Sequence, residues 1–298
     1  MDSNISNILV TGGAGYIGSH TARQLVNSGY DLTIVDTLYS GHRWAIPQGV
    51  DFYQLDAGDL ENMAKLLQKR GVKSVIHFAG HIVVPESVKD PYKYYRNNVT
   101  GSMNLIKACR ESGVELFVFS SSAAVYGKPK IIPVSEDCAT RPISPYGRTK
   151  LITEWNLQDT SNSSKLASGC DFRYVALRYF NVAGASFDAT LGQATPNASH
   201  LIKVACETAL GKRDSVSLFG TDYDTPDGTC IRDYIHVEDL ASAHLAALQY
   251  LGRGGSSVVL NCGYGHGHSV REVLNTVESI SGVDLPIIET DRRPGDPP

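Results

Sequence analysis

The chain predicts an α/β fold: a doubly wound parallel sheet followed by a smaller C-terminal α/β unit. Three observations carry this reading. Apolar runs of strand length alternate with helix-length segments through residues 8–181. A glycine-rich turn directly follows the first run. Polar residues and glycines then collect where the runs end, the edge at which such sheets bind ligands.

The first strand is Ile8-Leu-Val10, and Thr11-Gly-Gly-Ala-Gly-Tyr-Ile-Gly-Ser-His20 follows it. Gly12, Gly15 and Gly18 let backbone approach a pyrophosphate and let helix pack on strand, while the helix N-terminus faces the anion. Leu32–Val35 is the second strand and ends at Asp36, the spacing of a ribose-binding acid in a Rossmann-like dinucleotide fold. A carboxylate there accepts from both ribose hydroxyls and repels a 2′-phosphate, which favours NAD over NADP.

Phe52–Leu55 is the third strand, running to Asp56 and Ala57, and residues 61–70 form a helix. Ser74–Gly80 is the fourth, almost continuously apolar as a buried parallel strand should be. His77 inside it reads as a hydrogen-bonded core residue. Residues 91–112 read as one long helix carrying Asn97 and Asn98, and 114–119 as the fifth strand, entering Ser120-Ser-Ser122. Residues 172–178 form a sixth. Pro, Gly and Asn then become frequent across 183–197, so the boundary is placed at 181/182: 1–181 as the dinucleotide domain, 182–298 as the smaller domain. Helices are expected at 201–210, 240–251 and 270–279 and a strand at 257–261, with some of this chain returning to the first domain.

Composition narrows the classes. Apolar residues make up 42% and charged residues 19%, and the net charge is −4 with no basic block, which disfavours nucleic-acid binding. Cysteines at 109, 138, 170, 206, 230 and 262 are scattered without a Cys-x-x-Cys. Reduced thiols in a cytoplasmic protein are expected, with no metal site. The first seven residues do not resemble a signal peptide, and no apolar run approaches membrane-spanning length.

The chemistry centres on Ser144-Pro-Tyr-Gly-Arg-Thr-Lys150. Ser144 suits a helix cap and Pro145 the first turn. Tyr146 and Lys150 then share one face. A nearby ammonium and a helix N-terminus favour phenolate, so the pair is a candidate proton-transfer device, with Ser122 as its hydroxyl partner. Bringing a tyrosine from ~10 to ~7 requires roughly 4 kcal/mol of differential stabilisation.

These segments together resemble the extended short-chain dehydrogenase/reductase family, in its branch of sugar-nucleotide 4-epimerases, over essentially the whole chain. Residues 120–127 (Ser-Ser-Ser-Ala-Ala-Val-Tyr-Gly), 178–185 (Arg-Tyr-Phe-Asn-Val-Ala-Gly-Ala), 220–229 and 232–237 carry the branch-level likeness. The resemblance implies reversible 4-epimerisation of UDP-glucose and UDP-galactose through a 4-keto sugar, with tightly bound NAD. It implies Ser122, Tyr146 and Lys150 as the catalytic set, all three also touching NAD. Around NAD it further puts Tyr16, Ile17, Thr37, Asp56, Ala57, Phe78, Ala79, Gly80, Asn97 and Phe180, beside Asp36 and the three glycines. Around the UDP-hexose it puts Asn181, Leu201, Phe219, Arg232, Arg293 and Asp296, with Ser122 and Tyr146 at the sugar.

A homodimer is also implied, through helices 91–112 and 146–160, where Tyr94, Met103, Leu105, Leu151 and Trp155 suit either that contact or the core. The chain departs from the family in three places. Ile82 stands where lysine is familiar, His200 where asparagine is, and 159–169 reads as a longer surface loop. The sequence also ends just past Arg292-Arg-Pro-Gly-Asp296, where relatives continue. If the polypeptide ends there, weak epimerisation is expected. A 4,6-dehydratase on the same fold would want an acid pair near Ser122, where this chain has Ala123 and Ala124. A non-catalytic NAD or nucleotide-sugar sensor is the other alternative, and the intact Ser122, Tyr146 and Lys150 argue against it.

Overall fold

The structure is a computed structural model that describes residues 5, 7–166, 171–196 and 199–293. Its elements in chain order are β1 (Ile8–Thr11), α1 (Tyr16–Asn27), β2 (Leu32–Asp36), β3 (Asp51–Gln54), α2 (Leu60–Arg70), β4 (Ser74–His77), α3 (Val84–Lys89), α4 (Pro91–Tyr94), α5 (Gly101–Glu111), β5 (Leu116–Ser120), α6 (Pro145–Leu166), β6 (Arg173–Tyr179) and β7 (Asn181–Ala183). Then come α7 (Leu201–Ala209), β8 (Val216–Phe219), β9 (Ile231–Arg232), β10 (Tyr234–His236), α8 (Val237–Gly252), β11 (Val258–Cys262), β12 (His268–Ser269), α9 (Val270–Ser281) and β13 (Ile287–Thr290).

Seven strands form the central sheet in the order β11-β6-β5-β4-β1-β2-β3, every pair parallel. Successive residues on a strand face opposite sides, and two cores result. Leu9, Val35, Val75, Phe117 and Phe119 pack with Met63 and Leu67 of α2, Leu105 of α5 and Leu157 of α6. Ile8, Val10, Ile34, Ile76 and Val118 pack with Leu25 of α1 and Leu248 and Leu251 of α8. Both faces of the sheet are therefore covered, which explains the continuous apolar character of β1, β4 and β5. A separate small core of Ala205, Val216, Leu274 and Leu285 joins α7, α9 and the β8–β13 pair. The strand expected at 257–261 forms as β11 and pairs with β6, and α8 packs on α1.

Three local expectations need correction. The helix expected over 91–112 is interrupted by a π-helical turn at Tyr95–Thr100. Such a turn shifts the helical register by one residue, and hydrophobic periodicity does not reveal it. The segment read as a loop from 159 continues α6 to Leu166, with Ser161 and Ser164 buried on it; residues 167–170 lie outside the description. Of the five candidate dimer-contact residues, Tyr94, Leu105 and Leu151 are buried in this chain's own packing. The Tyr94 hydroxyl also donates to Val83 O and Glu86. Only Met103 and Trp155 are exposed, at 46% and 54%.

Candidate active site

A cleft of about 860 Å³ runs along the carboxyl ends of the central strands. Its floor begins at the glycine turn. Gly12 has φ +72°, and a Cβ there would lie 2.7 Å from Ala79 N. A Cβ on Gly18 would lie 2.1 Å from Gly12 O. Helix α1 starts at Gly15 without any side-chain cap, so its first backbone N–H groups face the cleft chemically unclaimed by a side chain. Asp36 ends β2 and is held there: Oδ2 accepts from Ala14 N at 3.0 Å and Oδ1 from Leu38 N at 2.7 Å.

The sequence-derived residues gather closely. Gly12, Gly15, Tyr16, Ile17, Gly18, Asp36 and Thr37 line one part of the cleft. Asp56, Ala57, Phe78, Ala79, Gly80 and Asn97 line the next. Ser122, Tyr146, Phe180, Asn181 and Arg232 line the remainder. Lys150 stands just behind the wall, its Nζ 3.9 Å from where a Cβ on Gly80 would sit. Leu201, Phe219 and Arg293 do not form the wall. Phe219 instead lies under the Arg293 guanidinium, 3.6 Å from its ring centroid. Asp296 lies outside the described residues.

Local chemistry sets the Tyr146 geometry. Ser144 Oγ accepts from Gly147 N at 3.2 Å, and Pro145 occupies the first turn, so α6 begins as its sequence dictates. Tyr146 is thereby aimed at the end of β5, where Ser122 Oγ accepts from Ala124 N. Lys150 Nζ donates to Ser120 O at 2.8 Å, tying the helix to that strand. It lies 4.9 Å from the Phe119 ring centroid and 5.9 Å from that of Tyr146.

Burial pushes the Tyr146 phenol up from its ordinary value, and the hydrogen bond with Ser122 only partly offsets this. Of these two effects on the phenol, desolvation is the larger. Burial also lowers Lys150 to about 8, with Glu154 acting in the opposite direction. His77 is a core residue, bridging Thr11 Oγ1 at 2.7 Å and Ser102 Oγ at 2.9 Å, and burial lowers it to about 3.

Several residues escape a sequence reading. Asn98, on the π-turn, is the buried hub beneath Asn97: Oδ1 accepts from His81 N at 2.8 Å, and Nδ2 donates to His81 O and Thr149 Oγ1. Tyr126, Ile132, Pro133 and Asn261 form another wall. Asn261 Nδ2 donates to Val134 O and its backbone N–H to Glu136, which seats the 128–143 loop. Thr225 and His266 come from turn-rich loops of the C-terminal half. The glycine-rich run 263–267 after β11 was the one available signal for this edge. Two of the departures noted above also face the cleft: Ile82 at the rim, and His200, whose Nδ1 lies 2.6 Å from Gln193 Nε2.

With this geometry in place, comparison with known proteins is informative. Residues 8–263 match the NAD dependent epimerase/dehydratase family. A UDP-glucose 4-epimerase of Azospirillum brasilense is 54% identical over 291 residues, covering 98% of this chain and 82% of its own length. One of Lactobacillus helveticus is 44% identical, covering 97% and 86%. The structure of UDP-glucose 4-epimerase from Brucella ovis in complex with NAD superposes with a TM-score of 0.92 at 46% identity, covering 98% of this chain and 88% of that one. The Bifidobacterium longum enzyme in complex with NAD+ and UDP gives 0.90 at 37% identity, with the same coverage.

Proposed function

Because this chain belongs to the NAD dependent epimerase/dehydratase family, we propose that it interconverts UDP-glucose and UDP-galactose by inverting the sugar at C4. The observation that carries the reading is one continuous cleft. It joins the glycine turn and Asp36 at one end to Ser122, Tyr146 and, behind them, Lys150.

The residues present fit NAD. The cradle has no room for a Cβ at Gly12 or Gly18, the uncapped start of α1 offers backbone donors for a pyrophosphate, and Asp36 is fixed at the ribose position. Asp56, Phe78, Gly80 and Asn97 would flank the remainder. When bound, NAD supplies a reversible two-electron oxidation of the sugar carbon and a positive charge near Tyr146.

The chain's own groups manage the proton and the geometry. Tyr146 takes the proton of the 4-hydroxyl and returns it. Ser122 hydrogen-bonds the same hydroxyl and holds it against the phenol. Lys150, anchored on Ser120 O, keeps a cation beside the pair, which lowers the cost of phenolate in a buried site. Arg232 offers its guanidinium to the diphosphate, with Asn181 beside it. Holding the nucleotide rather than the hexose leaves the oxidised sugar free to turn over between the two half-reactions.

We place the enzyme in the cytoplasm, in keeping with a nucleotide-sugar substrate and cysteines that form no disulfide among the described residues. Among those residues, no helix is long and apolar enough to cross a membrane. We read the chain as an NAD domain through 181 and a UDP-sugar domain beyond it, with α8 and β11 returning to the first. Exposed Met103 and Trp155 on the α5–α6 flank support a homodimer, which sedimentation at micromolar concentration tests. The function itself is tested by NMR of the purified protein with UDP-galactose, then UDP-glucose, without added cofactor. Failure of either to convert, in protein shown to carry NAD, would sink the reading.

A further inference from the structure

A buried polar chain runs beneath the cleft and reaches its wall only at Tyr126 and Asn261. Glu154 lies on α6 one turn beyond Lys150 and two beyond Tyr146. It and Arg178 of β6 are 4% and 6% exposed. Arg178 Nε donates to Glu154 Oε1 at 3.0 Å and Nη2 to Oε2 at 2.6 Å. Ser121 Oγ, from the residue preceding Ser122, donates to Glu154 Oε1 at 2.5 Å. On the other side Arg178 Nη1 donates to the Tyr126 hydroxyl at 2.9 Å, and that hydroxyl donates to Asn261 Oδ1 at 2.7 Å. Asn261 holds the 128–143 loop.

An ion pair this deep is a poor device for stability alone. Its desolvation cost is comparable to its attraction, and well-packed apolar side chains would serve as well. What the pair does provide is geometry, because its bonds tie α6 to β6, to Ser121 at the end of β5 and to Tyr126. We propose that Glu154 and Arg178 are positioning residues: they fix Ser122, through Ser121, against the Tyr146–Lys150 face of α6, and couple that face through Tyr126 and Asn261 to the 128–143 wall. The inference rests on the roles of Ser122, Tyr146 and Lys150 proposed above.

The same placement puts a carboxylate within electrostatic reach of Lys150. The groups about that amine are Tyr146 and Glu154 from α6, His77 from β4 and the Ser120 carbonyl from β5, while from β6 Arg178 pairs with Glu154 and the Tyr179 hydroxyl meets Ser120 Oγ. His77 is neutral at assay pH, and Arg178 is already paired with Glu154. Glu154 therefore supports the ammonium, against the lowering that burial imposes on Lys150.

The test uses the full chain with its bound dinucleotide. Ser121→Ala removes one hydroxyl and leaves the ion pair; kcat should fall about tenfold, with KM for UDP-galactose within about twofold. Glu154→Asp keeps the charge and shortens the reach, so kcat should fall while the alkaline limb of the pH profile stays. Glu154→Gln should lower kcat and also move that limb to lower pH, because the ammonium loses its support. Wild-type kcat and pH profile in folded, dinucleotide-loaded Ser121→Ala and Glu154→Gln would overturn the proposal. So would a lowered Tm with kcat unchanged, the mark of a purely structural pair. If Glu154→Gln does not fold, Ser121→Ala and Glu154→Asp decide on the same criteria. The wild-type chain is assayed alongside. Inactivity there overturns the epimerase reading and this proposal with it, whereas an active wild type with unaffected variants overturns this proposal alone.

Discussion

Gly18→Ala tests the dinucleotide cradle directly. The added Cβ would lie 2.1 Å from Gly12 O, and 2.9 Å from both Gly12 C and Gly13 Cα. All three are backbone atoms, so no flexible side chain can yield. Restoring ordinary contact near 3.4 Å requires the start of α1 to move by about 1 Å relative to the turn. Overpacking of this kind costs up to ~3 kcal/mol, and the better helix propensity of alanine returns ~1. The net is about 2 kcal/mol, shared between the fold and the pyrophosphate site. If it falls on the site, it is about thirtyfold in dinucleotide affinity. If it falls on the fold, Tm drops by several degrees. Gly15→Ala is the internal comparison: its Cβ would sit 3.3 Å from the same oxygen, where φ is −80°, so the effect should be within about threefold. The assay is the dinucleotide released per chain on denaturation, read beside thermal unfolding. A Gly18→Ala protein with a full dinucleotide complement and unchanged Tm would refute the cradle.

Three further outcomes follow from the site. Tyr146→Phe removes the proton acceptor and keeps the ring, so turnover should fall by ~10²–10⁴-fold while NAD stays bound, and near-normal turnover would remove Tyr146 from the chemistry. Asp36 should exclude a 2′-phosphate, so denatured protein should release NAD; mainly NADP in the supernatant would contradict the carboxylate argument. Lys150 is lowered to about 8 in the folded protein against an ordinary 10.5, so between those values the unfolded chain binds the extra proton. Its contribution therefore makes stability rise with pH from about 8 to 10.5, while activity falls as pH passes about 8, where the folded protein loses the cation. Thermal unfolding and rate should be measured together from pH 7 to 10.5; in Lys150→Met the lysine-dependent rise should vanish.

Local signals carried much of this molecule. The Gly12–Gly18 turn, Asp36 at the end of β2, and the Ser144 cap with Tyr146 and Lys150 one turn apart are each set by a few adjacent residues. Backbone sterics, capping and the helical repeat act over that range, so these features stand in the sequence as they stand in the fold. Buried strands were legible for a related reason: a strand covered on both faces must be apolar throughout. Other features were decided only by tertiary structure. The π-turn at Tyr95–Thr100 leaves the apolar pattern intact, so 91–112 reads as one helix. Continuation of α6 to Leu166 rests on burial of Ser161 and Ser164, and Ser161 Oγ meets Ser257 Oγ at 2.9 Å from 96 positions away. Tyr94, Leu105 and Leu151 look the same in sequence whether they face a partner or a core. The Tyr146 phenol is raised because its surroundings are dry, a property that spacing from Lys150 does not encode. The chain Ser121–Glu154–Arg178–Tyr126–Asn261 joins four segments through hydrogen bonds that have no sequence period, since a hydrogen bond depends on where two groups meet in space and not on their separation along the chain.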